Sequence, residues 1–513
     1  MRFASALTTK TDWAEAVEDL GRQVAVQIGP AKTQLAVLFA HPKYVPHIDE
    51  IVTSTQKVVG ARHLIGCTGA GIIGTDQEVE TKPSVSLLVG ELPGVEIFPF
   101  HVTEKDLEES TGPAFWHFQL ELEPIAAPHF VVLVDPLTTR AMQLTDALVE
   151  AYPQAPMIGG LASGAQQPGE NRLFVDGKAY DEGAVGVGLT GKIALRSVVS
   201  QGCRPIGEPL TVTRADKNIV FELAGRPPMK ILQEMLPQLP SRDRDLARTA
   251  LLLGRVVNEY QEEFARGDFL IRNLIGSDPQ SGALAVGDMM RTGQTVQFQV
   301  RDAETADEDL RHLLSAERHQ LGGNQPRGAL LFSCLGRGER MYGTVGHDIK
   351  LVQETLGPVP VAGFFCNGEI GPIGQRAFIH GFTSVVGLFM EPAGPSSLTV
   401  NHSSILGFSP HLPVSDYGTV TSCPLPRGFS WQRALPALCG SRRTLRHRRS
   451  AARMDLPVRD RLPPYIGTTT LRRRACSCVP PWDRTATTWY GNIDPSPIGY
   501  ASRPHLRDRL TLS

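Results

Sequence analysis

Two thiols, a guanidinium and a carboxyl stand close together in the sequence. Cys334 ends an apolar run in FSCLGRGER, Cys366 ends another in GFFCNGEIG, and Arg337 and Glu369 follow close behind them. If the two runs are neighbouring strands, all four groups converge at the carboxyl ends of the strands, where open α/β sheets take ligands. An arginine near these thiols favours thiolate, and Arg337 could equally hold a ligand carboxylate through a bidentate pair. The bland alternative is that both cysteines are buried small hydrophobes. Cys203, beside Arg204 in QGCRPIG, carries the same ambiguity.

Other motifs weigh less. Gly69-Ala70-Gly71-Ile72-Ile73-Gly74 fits GxGxxG after a strand, but a polar turn and another strand follow it. Pyrophosphate binding needs a helix N-terminus at that point. These glycines read instead as a place where two strands and a turn pass closely, or as a ligand lip of backbone amides. Ser163 lies in GLASG, which is not the GxSxG of a nucleophile elbow. The 14 histidines show no HExxH and no ligand-spaced pair, so neither a metal site nor a cofactor is expected.

The elements that must position these residues form an internal repeat. Three segments share one layout of apolar strand, helical connection, second strand and Gly-rich turn. They run from QLAVLFA (34–40) to HLIGCTGAGIIG (63–74), from FVVLVDP (130–136) to PMIGGLASG (156–164), and from GALLFSC (328–334) to VPVAGFFCNGEIGPIG (359–374). Continuous apolar strands joined through a helix predict neighbouring parallel strands in a covered sheet. The glycine corners at 66–74, 159–164 and 363–374 are expected to meet around one shared hollow. Between the units, 83–102, 171–191 and 192–207 alternate and carry PG and DG turns, which predicts antiparallel hairpins. Residues 244–267 have helical spacing, 269–276, 282–288 and 294–302 read as strands, and a helix is predicted over 303–314. The predicted fold is layered α/β, with mixed sheets from repeated βαβ-type units plus antiparallel hairpins, in two halves.

Composition bounds the rest. The chain has 513 residues, 41% of them hydrophobic and 20% charged, with a formal net charge of −2. That describes an ordinary soluble globular protein of two to four domains. No apolar run is long enough to cross a membrane and the N-terminus lacks a signal-peptide layout, so a cytoplasmic location is expected. The average charge conceals a break. Residues 395–513 carry 17 Arg and 6 Asp with no Lys or Glu, which leaves +11 there and −13 on the remainder. The segment keeps no period of 2 or 3.6 and is expected to be disordered or ill-folded. It reads as a GC-rich coding region translated out of frame, as a lineage-specific extension, or as a basic arm on nucleic acid with Trp482 and Trp489 for stacking. An acidic body repels polyanions, so nucleic-acid binding would belong to this tail.

At these residues the chain resembles the FIST domain family, which has an N-terminal and a C-terminal half. The resemblance runs from about Leu35 to His380. It rests on IGCTGAGIIG, MIGGLASG with RLFVDGKAYDEGAVGVGL, SQGCRPIGEPLTVTRADKNIVFELAGRPP, FLIRNLIGSD, FSCLGRGERMYG and VAGFFCNGEIGPIG. It implies an N-like domain over 30–225 and a C-like domain over 226–394; residues 1–29 read as a helical lead-in, and the basic tail over 395–513 resembles nothing in the family. It also implies a sensory or signal-transduction module that binds a small ligand, such as an amino acid or related polar metabolite, and passes the signal to a downstream partner. The pocket positions it implies are Gln201, Gly202, Cys203, Arg204, Cys334, Arg337, Asn367, Gly368 and Glu369. Arg337, Arg204 and Arg272 are the candidates for an acidic ligand group and Glu369 for an ammonium group. Cys67, Cys366 and the amides at Gly69, Gly71, Gly159 and Gly160 complete the lining. Two other classes stay open: a thiol enzyme using Cys334 or Cys366, for which the sequence offers only distant bases such as His347 and His380, and an interaction scaffold without a ligand.

Overall fold

The computed structural model describes residues 1–29 and 32–392. The readings made above for 395–513 lie outside the described residues. No helix of the described residues is long and apolar enough to cross a membrane.

Each expected strand–helix–strand unit forms, and each belongs to a larger repeat. The first comprises β1 (Arg2–Thr8), α1 (Trp13–Ile28), β2 (Leu35–Ala40), α2 (Ile48–Val58), β3 (His63–Thr68), the hairpin β4 (Ile72–Gly74) and β5 (Gln77–Val79), and β6 (Val85–Glu91). The second comprises β7 (Val95–Val102), α3 (Glu104–Glu109), α4 (Pro113–Gln119), β8 (His129–Val134), α5 (Ala141–Ala151), β9 (Met157–Leu161), the hairpin β10 (Leu173–Val175) and β11 (Lys178–Tyr180), and β12 (Ala184–Gly191). The third opens on β13 (Ala194–Gln201). An insertion follows, made of β14 (Cys203–Pro205), β15 (Leu210–Asp216), β16 (Ile219–Leu223), α6 (Pro228–Met235), α7 (Ser241–Ala250), β17 (Leu251–Val256), β18 (Phe269–Ser277), β19 (Leu284–Val286) and β20 (Thr295–Arg301). The third repeat then resumes with α8 (Ala303–Gln320), β21 (Gly328–Cys334), α9 (Glu339–Tyr342), α10 (His347–Leu356), β22 (Val361–Cys366), the hairpin β23 (Glu369–Ile373) and β24 (Arg376–His380), and β25 (Thr383–Met390).

Three six-stranded mixed sheets result: β1-β6-β2-β3-β10-β11, β7-β12-β8-β9-β23-β24 and β13-β25-β21-β22-β4-β5. Each has one parallel pair at its centre. The last hairpin of each sheet comes from another repeat: the first lends β4–β5 to the third sheet, the third lends β23–β24 to the second, and the second lends β10–β11 to the first. The exchange is cyclic, so no sheet is complete without its neighbour's chain. Register fixes the correspondence. Gly66, Gly159 and Gly363 occupy one equivalent position, where a Cβ would run into the carbonyl oxygen of Leu38, Val132 or Leu331 on the adjacent parallel strand.

Every residue of β2, LAVLFA, is buried, as in a parallel strand covered on both faces. The inner faces of all three sheets share one core that includes Phe39, Leu133, Phe332, Phe364 and Phe389. Helices α1 and α2 cover the first sheet, α4 and α5 the second, and α8 and α10 the third. In α1 the buried Ala16, Val17, Leu20, Val24 and Ile28 fall on one helical stripe, and Asp12 caps the first turn. The insertion closes on itself, since β20-β15-β16-β19-β18-β17 returns to β20 in antiparallel pairs around its own core.

Three expectations are corrected. The segment 1–29 is not wholly helical, because Phe3 faces the central core while Ala4 and Ala6 face α1, the alternation of a strand. The Pro93-Gly94 turn does not make a hairpin: β6 pairs with β1 and β2 while β7 pairs with β12 in another sheet. The helix read over 244–267 stops at Ala250, and β17 follows because Leu252 and Val256 face one core while Leu253 faces the other.

Candidate functional site

Strands β21 and β22 are parallel neighbours, and Cys334 lies directly opposite Cys366. After β21, the chain from Leu335 to Gly346 turns at once, with the Arg337 N–H donating to the Cys334 carbonyl at 2.8 Å. This connection is twelve residues long, against seven between β2 and α2 and six between β8 and α5. The Arg337 side chain is fully buried and pairs bidentately with Asp348 at the start of α10, at 2.8 and 3.1 Å. Asp348 also accepts from Ser333 Oγ at 3.0 Å and faces His347 Nδ1 at 3.0 Å. Burial alone would raise this carboxyl, but the guanidinium overrides it and holds Asp348 well below the usual carboxylate range. The ring of Tyr342 stacks on His347 at 3.5 Å between centroids, and the guanidinium of Arg337 lies 5.5 Å above the Tyr342 ring.

Glu369 opens β23. Its side chain is fully buried, and Oε2 accepts the Thr383 N–H at 3.2 Å. Glu369 sits one residue before the partner of Gly159, the position held in the other two repeats by the core residues Ile72 and Leu173. A carboxyl thus replaces a hydrocarbon at one of three equivalent places. Burial pushes it well above its ordinary range. The thiol of Cys334 lies beside it and is pushed up by burial and then by this carboxyl. His380, opposite Glu369 on β24, is buried and lowered to about 4.

Four atoms of this cluster find no partner among the described residues: Nη1 of Arg337, Oε1 of Glu369, the Tyr342 hydroxyl and Nδ1 of His380. An unpaired buried polar group costs about 1–3 kcal/mol, so several together are expensive against a total stability of roughly 5–15 kcal/mol. Gly202 makes room for the first, since a Cβ there would stand 3.1 Å from Arg337 Nη1 and 2.9 Å from the Phe382 carbonyl oxygen. Phe382 itself holds φ at +59°, a left-handed conformation costly for a bulky side chain. Its carbonyl accepts the Gly202 N–H at 3.0 Å, and its ring lies under Arg301, whose Nη1 donates to the Gly336 carbonyl at 3.1 Å. The inserted barrel therefore reaches the site through Arg301 and through Gln201 Nε2, which donates to the Phe269 carbonyl at 2.7 Å.

Of the residues named from the sequence, Gln201, Gly202, Cys203, Cys334, Arg337 and Glu369 come together here. Arg204 is taken up by Asp243 and Asp302, and Arg272 by Asp288 and the Ile379 carbonyl. Asn367 and Gly368 form the crossing to the second sheet, bonded through their backbones to Leu161. The glycine corners do meet, but side chains fill the expected hollow. Gly69 abuts Phe364, Gly71 abuts Phe365, and Gly159 and Gly160 abut Val132 and Cys366. Cys67 and Cys366 are buried there as small hydrophobes. The expected thiolate is not favoured: burial pushes Cys203 up to about 12 and raises the other three thiols as well, outweighing the arginines. Among the described residues no cluster of His, Cys, Asp or Glu could hold a metal ion. Sequence reasoning missed Asp348, Tyr342, Arg301 and Phe382, and it missed Glu78, whose buried Oε1 accepts the Ile349 N–H at 2.9 Å from the lent hairpin β4–β5. The second repeat supplies a contrast. Asp135 occupies the place of Cys334 but is satisfied by Leu137 N–H, Thr138 Oγ1 and Asn171 Nδ2 at 3.2, 2.7 and 2.8 Å.

Compared with known families, residues 34–226 match the FIST N domain and residues 228–372 the FIST C domain. An uncharacterized protein of Mycobacterium tuberculosis is 36% identical over 391 residues, which cover 76% of this chain and 100% of that protein. An uncharacterized protein of Mycobacterium bovis is 35% identical over 391 residues, covering 76% of this chain and 99% of that one. Among solved structures, a cyanuric acid hydrolase from A. caulinodans aligns with a TM-score of 0.31 and 8% identity over 76% of this chain and 100% of that chain, too slight a likeness to carry an argument.

Proposed function

This chain belongs to the FIST family, whose domains are generally sensory signal-transduction domains, and we propose that it senses a small polar ligand at the carboxyl ends of β21 and β22. The observation that carries this reading is the pair of fully buried, unpartnered atoms, Arg337 Nη1 and Glu369 Oε1. A ligand that supplies acceptors or donors to both recovers the free energy they forfeit. The strained Phe382 and the departure from internal symmetry at Glu369 mark the same spot.

Access runs through the connection 335–346. Gly338, Gly343 and Gly346 all have positive φ, and Glu339, Arg340 and Thr344 are exposed. Glu80, from the hairpin lent by the first repeat, holds this connection down by accepting the Glu339 N–H at 2.8 Å. Lifting it on binding changes the surface shown to a downstream partner, which is the signal. The test is a thermal-shift panel of small polar metabolites on the full chain. A compound at a hundred times its dissociation constant stabilises by about 2.7 kcal/mol and raises the melting temperature. No shift from any compound, combined with a protein partner that binds the unliganded chain, overturns the reading in favour of an interaction scaffold.

A further inference from the structure

Away from the ligand site, two surfaces of unlike character are left bare. The first lies on the second repeat. Where the first and third repeats carry one long helix, α1 of 16 residues and α8 of 18, the second carries the short α3 and α4, of 6 and 7. The chain leaves α4 through Glu121, which holds φ at +51°, and it bares apolar side chains on both sides of that turn. Phe118 is 83% exposed and Ile125 96%. Pro113, Ala114, Ala126 and Ala127 are exposed beside them in the chain. Residues 103–127 also carry six acids against Lys105, a net −5. Four of those acids, Glu108, Glu109, Glu121 and Glu123, are exposed.

The second surface lies on the barrel. Helix α6 buries only Pro228 and Leu232, and α7 only Ala247, while Met235, Leu236, Leu239 and Leu246 stay half-buried against the barrel core. Between the two helices runs an open groove of about 520 Å³, lined by Leu236, Pro237 and Ala247 and by Arg244 and Arg248. Arg244 makes no ion pair among the described residues, since its Nη1 donates to the Pro237 and Leu239 carbonyls at 3.3 and 2.7 Å. Arg248 reaches Asp245 through a pair exposed on both sides, a contact of little worth. The groove is apolar, and two guanidiniums stand ready at it.

Charge selects the occupant. Residues 203–301 carry 13 Lys and Arg against 12 Asp and Glu, a net +1, which leaves −14 on the rest of 1–394. Two such bodies repel wherever acid meets acid, so they approach most favourably with an acidic part of one against the barrel of the other. An acidic face with two bare anchors and a basic groove with an apolar lining are complements, and one chain bears both. Within that chain they do not meet, since both stay open to solvent. An aromatic anchor seated in a pocket beside arginines is a common source of affinity between proteins.

We propose that this chain associates with a second copy of itself, the α3–α4 face of one docking in the α6–α7 groove of the other. Phe118 and Ile125 cover Leu236, Pro237 and Ala247, while Glu121 and Glu123 meet Arg244 and Arg248. The two surfaces are unlike, so copies make the contact twice about a two-fold axis or pass it on head to tail.

Sedimentation velocity on the full chain over a range of concentrations tests this. The parent is expected to pass from a 55.8 kDa monomer to a dimer or larger as the concentration rises. Phe118→Ser with Ile125→Ser disables the acidic face, and Arg248→Glu disables the groove. All three positions are exposed, so folding is not at risk. Each variant should associate about tenfold or more weakly than the parent. An equimolar mixture of the two should associate more tightly than either alone, because the intact face of one meets the intact groove of the other. A parent that stays monomeric throughout overturns the proposal. Association untouched by either variant, or a mixture no tighter than its components, overturns it as well, since the copies would then meet through other surfaces.

Discussion

Asp348 is the carboxylate that lets a guanidinium sit where no solvent reaches it. Arg337 is fully buried, and Asp348 pairs with it through two hydrogen bonds. Removing one partner of a buried pair leaves an uncompensated charge, which costs about 3–5 kcal/mol, far more than the net worth of the pair. Asp348→Ala should therefore lower the urea midpoint by an amount corresponding to about 3–5 kcal/mol. A loss below about 1 kcal/mol would mean that Arg337 finds another acceptor or reaches water, and the buried cluster described above would not exist. The same arithmetic separates Asp348 from Asp307, which is half-buried and pairs with the exposed Arg311. Exposed pairs of that kind contribute about 0–1 kcal/mol.

At the scale of elements, the lent hairpin β4–β5 is the piece that ties the first repeat to the site. Glu78 on β5 reaches the Ile349 N–H of α10 across 271 residues of sequence. Its carboxyl is pushed from 4.5 up to about 8, by burial first and by the charge of Asp348 next. The folded protein thus keeps a proton that the unfolded chain releases above about pH 4.5. Stability from this group is present below that value and is lost as the pH rises through 8. Glu78→Gln mimics the protonated form, so it should gain on the parent by roughly 2–4 kcal/mol between pH 5 and pH 8, read from denaturant melts across that range. A difference that stays flat with pH would show that Glu78 ionises freely and is not docked under α10. This hairpin also marks where sequence reading stops. The convergence of Cys334, Arg337 and Glu369 was legible because a βαβ unit must set its two strands side by side. The glycines at 69 and 71 were legible as close passes because a GxGxxG without a helix has no phosphate to bind. The partner of a three-residue strand is not encoded nearby. Nothing local in QEV says that it completes a sheet made of residues 194–390, and Asp348 reads there as an ordinary acid in a first helical turn. Phe382 carries no warning either, since its strain exists only once Gly202 and Cys334 have closed on it.

The whole molecule consists of a cyclic three-repeat body and a barrel let into its third repeat. The body owes its order to the exchange of hairpins, with the equivalent glycines 66, 159 and 363 letting each parallel pair close. The barrel owes nothing to that exchange: its six strands close on one another, β14 of the same insertion adds to β20, and they fill their own core. Its two ends leave and re-enter at one point, where the Asp302 N–H donates to the Gly202 carbonyl at 3.2 Å. Replacing residues 203–301 by a short Gly/Ser linker therefore closes a gap that the fold already spans, and loop closure over so few residues costs little. The excised chain is expected to melt cooperatively and to keep its far-ultraviolet spectrum of mixed sheet and helix. It also loses Arg301 and the cover over Phe382, so alkylation of Cys334, followed by peptide mass spectrometry, should accelerate severalfold at pH 8 over the intact chain. It should bind no ligand. Aggregation or a non-cooperative melt would show that the third repeat needs the barrel to fold. An excised chain whose Cys334 labels no faster would show that the barrel does not cover the site, and sensing would then have to be read from the loop 335–346 alone.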